Sequence, residues 1–419
     1  MSQELLMNPI LKPFKALYAA MFILSASLGL LATFLSLRLK FEGCSTLTTG
    51  MILTSYFIGC VFGSLYSNRL IKTVGHIRSF AAFAALFTAM IMLHGCFFSA
   101  PAWAIFRFLS GIAAMGLFTV IESWLNECTQ PQSRGKVFSF YMIMCYMGAG
   151  TGQQLLILGD ITEQTLFFVV GFLLVCCIIP VSLTRSINPE IPKIKPKAFK
   201  NIIAMAPMGL TGALTAGLLI SSFYTMGPIF CHNIGLSVPQ VSLFMTLTVL
   251  GGLIIQWPIG LLSDRFDRSI VIPVICVLFS IISLLVIWSS KGPFTVLLAT
   301  TGIFGGFLFC IYPVSVARAH DLFDPSDSVN VSSALLFFYG IGSIGGPLTS
   351  SMIMELSTNP LWLYLFFAST GLISALVSII LRQKEIAPIV PVEEQSEFML
   401  MNQHTGQVVM QIDPRTEPE

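Results

Sequence analysis

Arg107 and Glu122 are charged residues within one long apolar stretch of the sequence. A guanidinium in apolar surroundings can bind an anion or tune a proton site, whereas a carboxylate there can take up and release a proton. Arg107 has a structural alternative, in which its charge extends towards the surface while its stem packs two spans together. Glu122 has one too, as the ion-pair partner of Arg69, and this is the preferred interpretation of the glutamate.

Neutral polar side chains supply the other candidate binding groups. Gln256 stands beside a Trp-Pro pair in an apolar run, where a buried amide needs hydrogen-bond partners. For a Ser or Thr hydroxyl, a bond to its own helix backbone is at least as good an explanation. The histidines lie in separate segments and the ten cysteines form no CxxC pair, so no metal site or cofactor is predicted. A disulfide among Cys44, Cys96 and Cys231 is not favoured.

The composition places most of the chain in lipid. Of its 419 residues, 55% are hydrophobic and only 10% are charged, and the mean hydropathy is +0.84. Soluble domains carry about 25% charged residues, so this much apolar surface requires a bilayer. The net charge is only +2 and the sequence has no block of basic residues, so nucleic acid is not predicted as a partner.

Apolar runs of about 20 residues between charged breaks predict twelve spans. They lie near 15–37, 46–68, 78–97, 102–125, 137–159, 165–184, 201–230, 240–262, 270–289, 293–317, 329–354 and 360–381. Of the 22 Lys and Arg, eighteen fall on the side of the chain termini, three fall on the other side, and Arg107 lies within a span. Because Lys and Arg favour cytoplasmic loops, both termini are predicted to be cytoplasmic.

The spans divide into two halves of six. Residues 1–184 form the first half and residues 201–382 the second. The connector, 185–200, carries three prolines and four lysines and is predicted to be cytoplasmic. The tail, 383–419, is polar and predicted to be mobile, although Gln407 to Ile412 could form a strand against a partner.

One short pattern occurs in each half, 196 residues apart. Residues 64–72 read SLYSNRLIK and residues 260–268 read GLLSDRFDR. The pattern resembles the signature of the major facilitator superfamily that joins the second and third helices of each half. The second copy fits the signature well, whereas the first has Ser64 in place of its glycine and Asn68 in place of its acid.

Further motifs support the same resemblance. Residues 107–111, RFLSG, resemble the RxxxG motif of span four in that family. Glycines with small-xxx-small spacing, which lets helices approach closely, recur in spans five and eleven. These predicted helix-packing glycines are Gly148, Gly152, Gly342 and Gly346. The stretches IESWLN at 121–126 and YP at 312–313 resemble the bacterial YcaD-like branch, which implies a bacterial inner membrane.

The resemblance implies an all-α fold of twelve transmembrane helices in two pseudo-symmetric halves, with a gate at the cytoplasmic end. The gate candidates are Asn68, Arg69, Asp264, Arg265, Arg268 and Asp321. Asp321 is the expected partner of Arg265, and Glu122 or Glu127 that of Arg69. The alternative is a solvated, positively charged loop without a gating role.

The resemblance further implies a central cavity lined by spans one, four, seven and ten. The substrate-binding or coupling candidates are Ser25, Arg107, Glu122, Tyr224, Gln256 and Tyr312. The function it implies is secondary active transport of a small organic solute by alternating access, coupled to protons, by a monomer and not an enzyme. No GxxxxGK[ST] motif supports ATP as the driving force.

The direction of transport has two interpretations. Uptake of an anionic metabolite or chelator is preferred, because Arg107 offers a counter-charge and acids are scarce within the spans. The alternative is a proton-driven exporter of drugs or metabolites, but Gln153 and Gln154 follow the glycines of span five, which lack the proline usual in drug antiporters. A transporter-like sensor is the third possibility, and the tail is too short and polar for a folded signalling domain.

Overall fold

The computed structural model describes residues 10–184, 199–323, 327–357, 359–384, 395 and 398–401. Within these residues twelve long helices follow one another along the chain. They are α1 (Lys15–Phe41), α2 (Thr46–Val74), α3 (His76–Cys96), α4 (Ala100–Cys128), α5 (Arg134–Gln154), α6 (Thr165–Ser182), α7 (Pro207–Asn233), α8 (Val238–Ser263), α9 (Arg268–Ser289), α10 (Phe294–His320), α11 (Ser328–Leu356) and α12 (Trp362–Lys384). Each coincides with one of the predicted spans.

Eleven of these twelve helices are long and apolar enough to cross a bilayer. The remaining one, α5, has 21 residues and carries Gly148, Gly150, Gly152 and Gln153, all of which are buried. The helix ends at Gln154 and continues as a short 3-10 turn, so the fifth span is less apolar than its neighbours. Burial between α1 and α8, rather than contact with lipid, explains how it tolerates these residues.

The seventh predicted span, 201–230, is broken. A short helix, Phe199–Met205, is followed by Ala206, and α7 begins at Pro207. Proline suits the first turn of a helix because its missing N–H would have no partner there, whereas it cannot continue a helix that precedes it. The break is therefore encoded by one residue.

Local signals end the helices beside the repeated motif. Gly75 adopts φ 84° between α2 and α3, a conformation that favours glycine. The first copy of the motif, 64–72, consequently lies inside α2, and only Gly75 separates α2 from α3. In the second half α8 ends at Ser263, and Asp267 caps the start of α9 by accepting a hydrogen bond from the Ser269 N–H. The second copy thus forms a real turn.

Glycines bring helices together within each half. A Cβ atom on Gly148 or Gly152 would collide with the Phe22 or Ala26 carbonyl of α1. In the second half a Cβ on Gly342 or Gly346 would collide with the backbone of α7, at Leu214 and Leu218 respectively. The four glycines predicted from their spacing thus lie at equivalent positions, the contacts α1–α5 and α7–α11.

Each helix runs opposite to the one before it, so the bundle has two ends. We call the end where α1 begins and α12 finishes the termini face, and the other end the opposite face. All ten cysteines lie in described residues and are free, so Cys44, Cys96 and Cys231 form no disulfide.

Residues 185–198 of the connector and most of the tail, including the predicted strand at Gln407 to Ile412, lie outside the described residues. The tail residues 398–401 differ from the expectation of mobility, because they pack against the bundle, and Met401 is only 5% exposed.

Candidate functional site

The two halves meet firmly at the opposite face. Glu355 of α11 accepts a hydrogen bond of 2.8 Å from the backbone N–H of Thr46, the first residue of α2. Between α8 and α5, the Ser242 hydroxyl donates to the Gln153 carbonyl at 2.7 Å. These bonds join residues from different halves near the ends of their helices, so the bundle is closed at this face.

A small cavity lies at the centre, below this closed layer. Its volume is about 40 Å³, which is space for about three water molecules. Helices α1, α2, α4 and α7 line it, mostly with leucine, alanine and phenylalanine side chains. The polar or charged lining residues are Ser36, Tyr56, Arg107, Tyr224 and Thr225.

Arg107 is the only charged residue among the described residues that line this cavity, and it is 6% exposed. Its guanidinium carbon lies 4.3 Å from the centre of the Tyr56 ring, a cation–π contact that partly offsets the loss of hydration. The Nε atom has no hydrogen-bond partner, and no carboxylate among the described residues forms an ion pair with Arg107. The site is therefore a buried positive charge suited to an anionic group.

The other predicted binding residues are distributed around the centre. Tyr224 lines the cavity with Arg107. Tyr312 packs against Tyr339, with ring centres 4.7 Å apart, outside the cavity lining. Ser25 is buried at the α1–α5 contact beside Gly148, and it does not line the cavity.

Gln256 lies deeper towards the termini face and is fully buried. Its amide donates to the Tyr146 hydroxyl at 2.9 Å and to the Phe309 carbonyl at 2.7 Å. Tyr146 belongs to α5 in the other half, so Gln256 joins the halves at mid-depth.

Sequence reasoning missed Tyr56, which forms the closest charge-stabilising contact of the site. The resemblance implied a lining from spans one, four, seven and ten, but α2 takes the place of α10 around this cavity. An aromatic residue in an apolar span carries no sequence signal that distinguishes it from lipid-facing filler.

The predicted ion pairs of Arg69 are wrong. Arg69 is exposed and lies over the ring of Tyr66, 5.4 Å from its centre. Glu122 is fully buried and accepts a hydrogen bond from the Tyr141 hydroxyl at 3.1 Å. Glu127 accepts one from Ser123 and lies 3.5 Å from His76. Helix α4 thus turns both acids into the first half, away from the exposed face of α2.

The predicted pair between Arg265 and Asp321 is also wrong, because Arg268 takes that place. Arg268 is fully buried and donates at 2.6 Å to Asp321 and at 2.6 Å to Asp264. Arg265 is exposed. Arg268 begins α9, which packs against α10, and Asp321 lies directly after the last residue of α10. Because the start of α9 packs against the end of α10, Arg268 and not Arg265 pairs with Asp321.

A further carboxylate anchors the same turn. Asp267 accepts from the Ser269 N–H at 2.9 Å and pairs with Arg382 of α12 at 3.3 Å. Burial raises the pKa of Asp267, but the Ser269 hydrogen bonds and the charges of Arg318 and Arg382 outweigh it, so the pKa lies below its ordinary value of 3.8. Asp267 is thus a carboxylate at neutral pH. The buried His320 ring lies 3.2 Å from the Ser332 hydroxyl beside this cluster.

The family model described as Major Facilitator Superfamily matches residues 17–237 and 212–402. The transporter YcaD of Salmonella arizonae, described as an uncharacterised MFS-type transporter, is 28% identical over 378 residues, which cover 88% of this chain and 96% of YcaD. Its counterpart from Escherichia fergusonii is 27% identical over 370 residues, which cover 87% of this chain and 95% of the relative.

Solved transporter structures share the fold. The nucleoside transporter NupG superimposes with a TM-score of 0.72 at 15% identity, covering 90% of this chain and 100% of NupG. A D-xylose-proton symporter superimposes with a TM-score of 0.70 at 15% identity, covering 91% of this chain and 98% of the symporter. The predicted fold class is confirmed, including its twelve helices in two halves.

Proposed function

The chain belongs to the Major Facilitator Superfamily, and we propose that it is a secondary transporter that carries a small organic anion across a membrane by alternating access. The observation that carries this proposal is the charge of Arg107 at the central cavity, buried and without a carboxylate partner among the described residues.

The energy of burial favours an anion. A central charge costs roughly 2.5–3.5 kcal/mol on membrane-insertion scales, and a cation–π contact returns about 0.5–2 kcal/mol. An anionic group that enters the cavity would supply the missing counter-charge. Leucine and phenylalanine side chains around it would suit an apolar portion of the same solute.

The cavity volume indicates how such a solute would enter. A space of about 40 Å³ holds water but no metabolite. The halves must therefore separate further for the solute to reach Arg107. Because the opposite face is closed by the bonds of Glu355 and Ser242, the proposed route to Arg107 runs through the termini face once the halves separate there.

A proton is the proposed coupling ion, and Glu122 its carrier. The residue is fully buried in α4, the helix that also holds Arg107. Its contact with the Tyr141 hydroxyl gives the carboxyl a polar partner inside the bundle. Protonation of a membrane acid can thus be linked to movement of α4 and of the site it carries.

The termini face is proposed to be cytoplasmic, because eighteen of the 22 Lys and Arg belong to that side. The proposed location is a bacterial inner membrane. Uptake of the anion is the proposed direction, because Arg107 offers a counter-charge and acids are scarce within the spans.

The test is ligand-induced thermal stabilisation of the purified full-length protein. The panel contains carboxylates, chelators, nucleosides, sugars and lipophilic cations, measured on the wild type, Arg107→Gln and Arg69→Gln. The last is the matched control, since it removes the same charge from an exposed position. A ligand at 100 times its dissociation constant stabilises a protein by about 2.7 kcal/mol.

Stabilisation of the wild type and of Arg69→Gln by an anion, with none in Arg107→Gln, would support the proposal. If only lipophilic cations stabilise the protein, and Arg107→Gln responds like the wild type, Arg107 is structural and export is the better interpretation. Circular dichroism verifies that each variant is folded.

A further inference from the structure

A short apolar piece of the tail lies against the termini-face side of the bundle. Residues 398–401 read Phe-Met-Leu-Met, in a tail whose neighbouring residues are polar. All four residues pack on the hydrophobic core, and Met401 is 5% exposed. Met401 is buried and the other three side chains are partly buried, and this removal of apolar surface from water favours docking over solvation.

The docked segment is hydrogen-bonded to both halves. The Tyr146 hydroxyl of α5 donates to the Met401 carbonyl at 2.9 Å. Gln256 of α8 donates to the same carbonyl at 3.3 Å and accepts from the Met401 N–H at 3.4 Å. Gln256 therefore forms hydrogen bonds with both the N–H and the carbonyl of Met401. Because Tyr146 bonds the same carbonyl, the tail links α5 to α8 on the termini-face side of the central cavity.

The second copy of the repeated motif holds the other end of the segment. The Phe398 N–H donates to the Asp264 carboxylate at 3.1 Å. The Phe398 ring lies where a side chain on Gly260 would project, since a Cβ there would collide with the ring. The first copy has Ser64 and Asn68 at the equivalent positions, so it lacks both the notch and the carboxylate. The segment thus docks at the copy that has both features.

We propose that Tyr146, Gln256, Gly260 and Asp264 form a binding site for an extended peptide segment, and that residues 398–401 of the same chain occupy it as an autoinhibitory plug. The docked tail blocks entry from the termini face and prevents α5 and α8 from closing further there, beyond the contact between Tyr146 and Gln256. The inhibitory role rests on the proposed alternating access, whereas the docking itself does not.

The tether permits this arrangement. Helix α12 ends at Lys384, fourteen residues before Phe398. Such a linker spans up to about 46–50 Å when extended, and Gln256 lies only seven residues, roughly 10 Å, from the end of α8. A tethered ligand of this kind acts at an effective concentration of the order of millimolar, so even weak contacts keep the site occupied.

Two full-length variants test the docking. Gly260→Val fills the notch beneath the Phe398 ring, and Gly345→Val is its matched control, because a Cβ on Gly345 meets nothing within 4 Å. Phe398→Asp/Met401→Asp weakens the segment itself. Hydrogen exchange followed by mass spectrometry reports the protection of the tail amides at 398 and 401.

A thiol reporter tests the consequence for the bundle without knowledge of the substrate. Ser351 is buried at the opposite face, where it packs on Gly50 of the other half. In a Ser351→Cys background, alkylation at residue 351 by a membrane-impermeant maleimide measures how often that face opens. Release of the tail should let the halves close at the termini face, and thus raise the alkylation rate several-fold.

We expect slow exchange of these amides in the wild type and in Gly345→Val. Exchange should be at least tenfold faster in Gly260→Val and in Phe398→Asp/Met401→Asp. Alkylation at residue 351 should be faster only in these two tail-releasing variants. Unprotected tail amides in the wild type would overturn the docking. Loss of protection without a change in alkylation would overturn the inhibitory role and leave docking in place. Neither result depends on the anion test, so the two proposals can fail separately.

Discussion

Replacement of Asp321 by asparagine should destabilise the protein more than the same replacement at Asp264. Arg268 is fully buried and bonds both carboxylates at 2.6 Å. The side chain of Asp321 is fully buried too, whereas that of Asp264 is 36% exposed. Water and counter-ions can therefore compensate for the loss of Asp264 but not for that of Asp321.

The magnitudes follow from this difference in exposure. Removing one partner of a buried ion pair costs about 3–5 kcal/mol. Asp264 still neutralises Arg268 in Asp321→Asn, so we expect a loss of about 3 kcal/mol. For Asp264→Asn we expect about 1 kcal/mol, since partly exposed pairs contribute little. A domain of 150–250 residues, the size of one half, loses about 2–4 °C in Tm per kcal/mol, so Asp321→Asn should lower the Tm by roughly 6–12 °C.

The assay is thermal unfolding of the purified protein in detergent, with Arg268→Met combined with Asp321→Asn as the decisive variant. In Asp321→Asn the buried Arg268 keeps the partly exposed Asp264 as a charged partner. Removal of the Arg268 charge should therefore recover at least half of the lost stability, because replacing a buried charge that has lost its buried partner with an apolar side chain is often neutral or stabilising. A larger loss of stability in Asp264→Asn than in Asp321→Asn, or a further fall in Tm when Arg268→Met is added, would contradict the expected order.

Two further predictions concern the gate and the closed face. Asp264→Asn should reduce the initial rate of transport in proteoliposomes more than Asn68→Ala, because it removes a charge that is bonded to Arg268. The amide oxygen of the new asparagine can still accept the Phe398 N–H, so docking of the tail is retained. Equal and near-normal rates in both variants would contradict a gating role for the second motif copy. Glu355→Gln should weaken the carboxylate's cap on the first turn of α2, at Thr46 and Leu47, by about 0.5–2 kcal/mol. It should therefore accelerate alkylation in the Ser351→Cys background, and an unchanged rate would show that this cap does not hold the opposite face closed.

The positions of the helices could be predicted from the sequence because a bilayer restricts the structures that a chain can form. A chain in hydrocarbon must satisfy its backbone within each helix, so apolar runs between charged breaks predicted all twelve. The same runs did not reveal that α5 is the least apolar helix, since its glycines and Gln153 are tolerated only through burial between α1 and α8.

Side-chain partners depended on details of one or two residues. The motif suggested Arg265 as the partner of Asp321, but α8 ends at Ser263 and α9 begins at Arg268, which turns Arg268 inward and Arg265 outward. Likewise Arg69 was expected to meet an acid of α4, yet it lies on an exposed face of α2. A sequence pattern sets which charges are near each other along the chain, not which way a helix turns them.

By itself, the sequence predicted a two-part membrane bundle, the end of it that bears most of the Lys and Arg, and the presence of a costly charge, Arg107, within an apolar span. Only the tertiary structure placed Tyr56 beneath Arg107 and docked the apolar residues of a polar tail. Both depend on surfaces assembled from separate helices, Tyr56 from α2 against α4, and the tail site from α5 and α8 of different halves. Such surfaces exist only after the helices have packed, because no local stretch of the chain contains them.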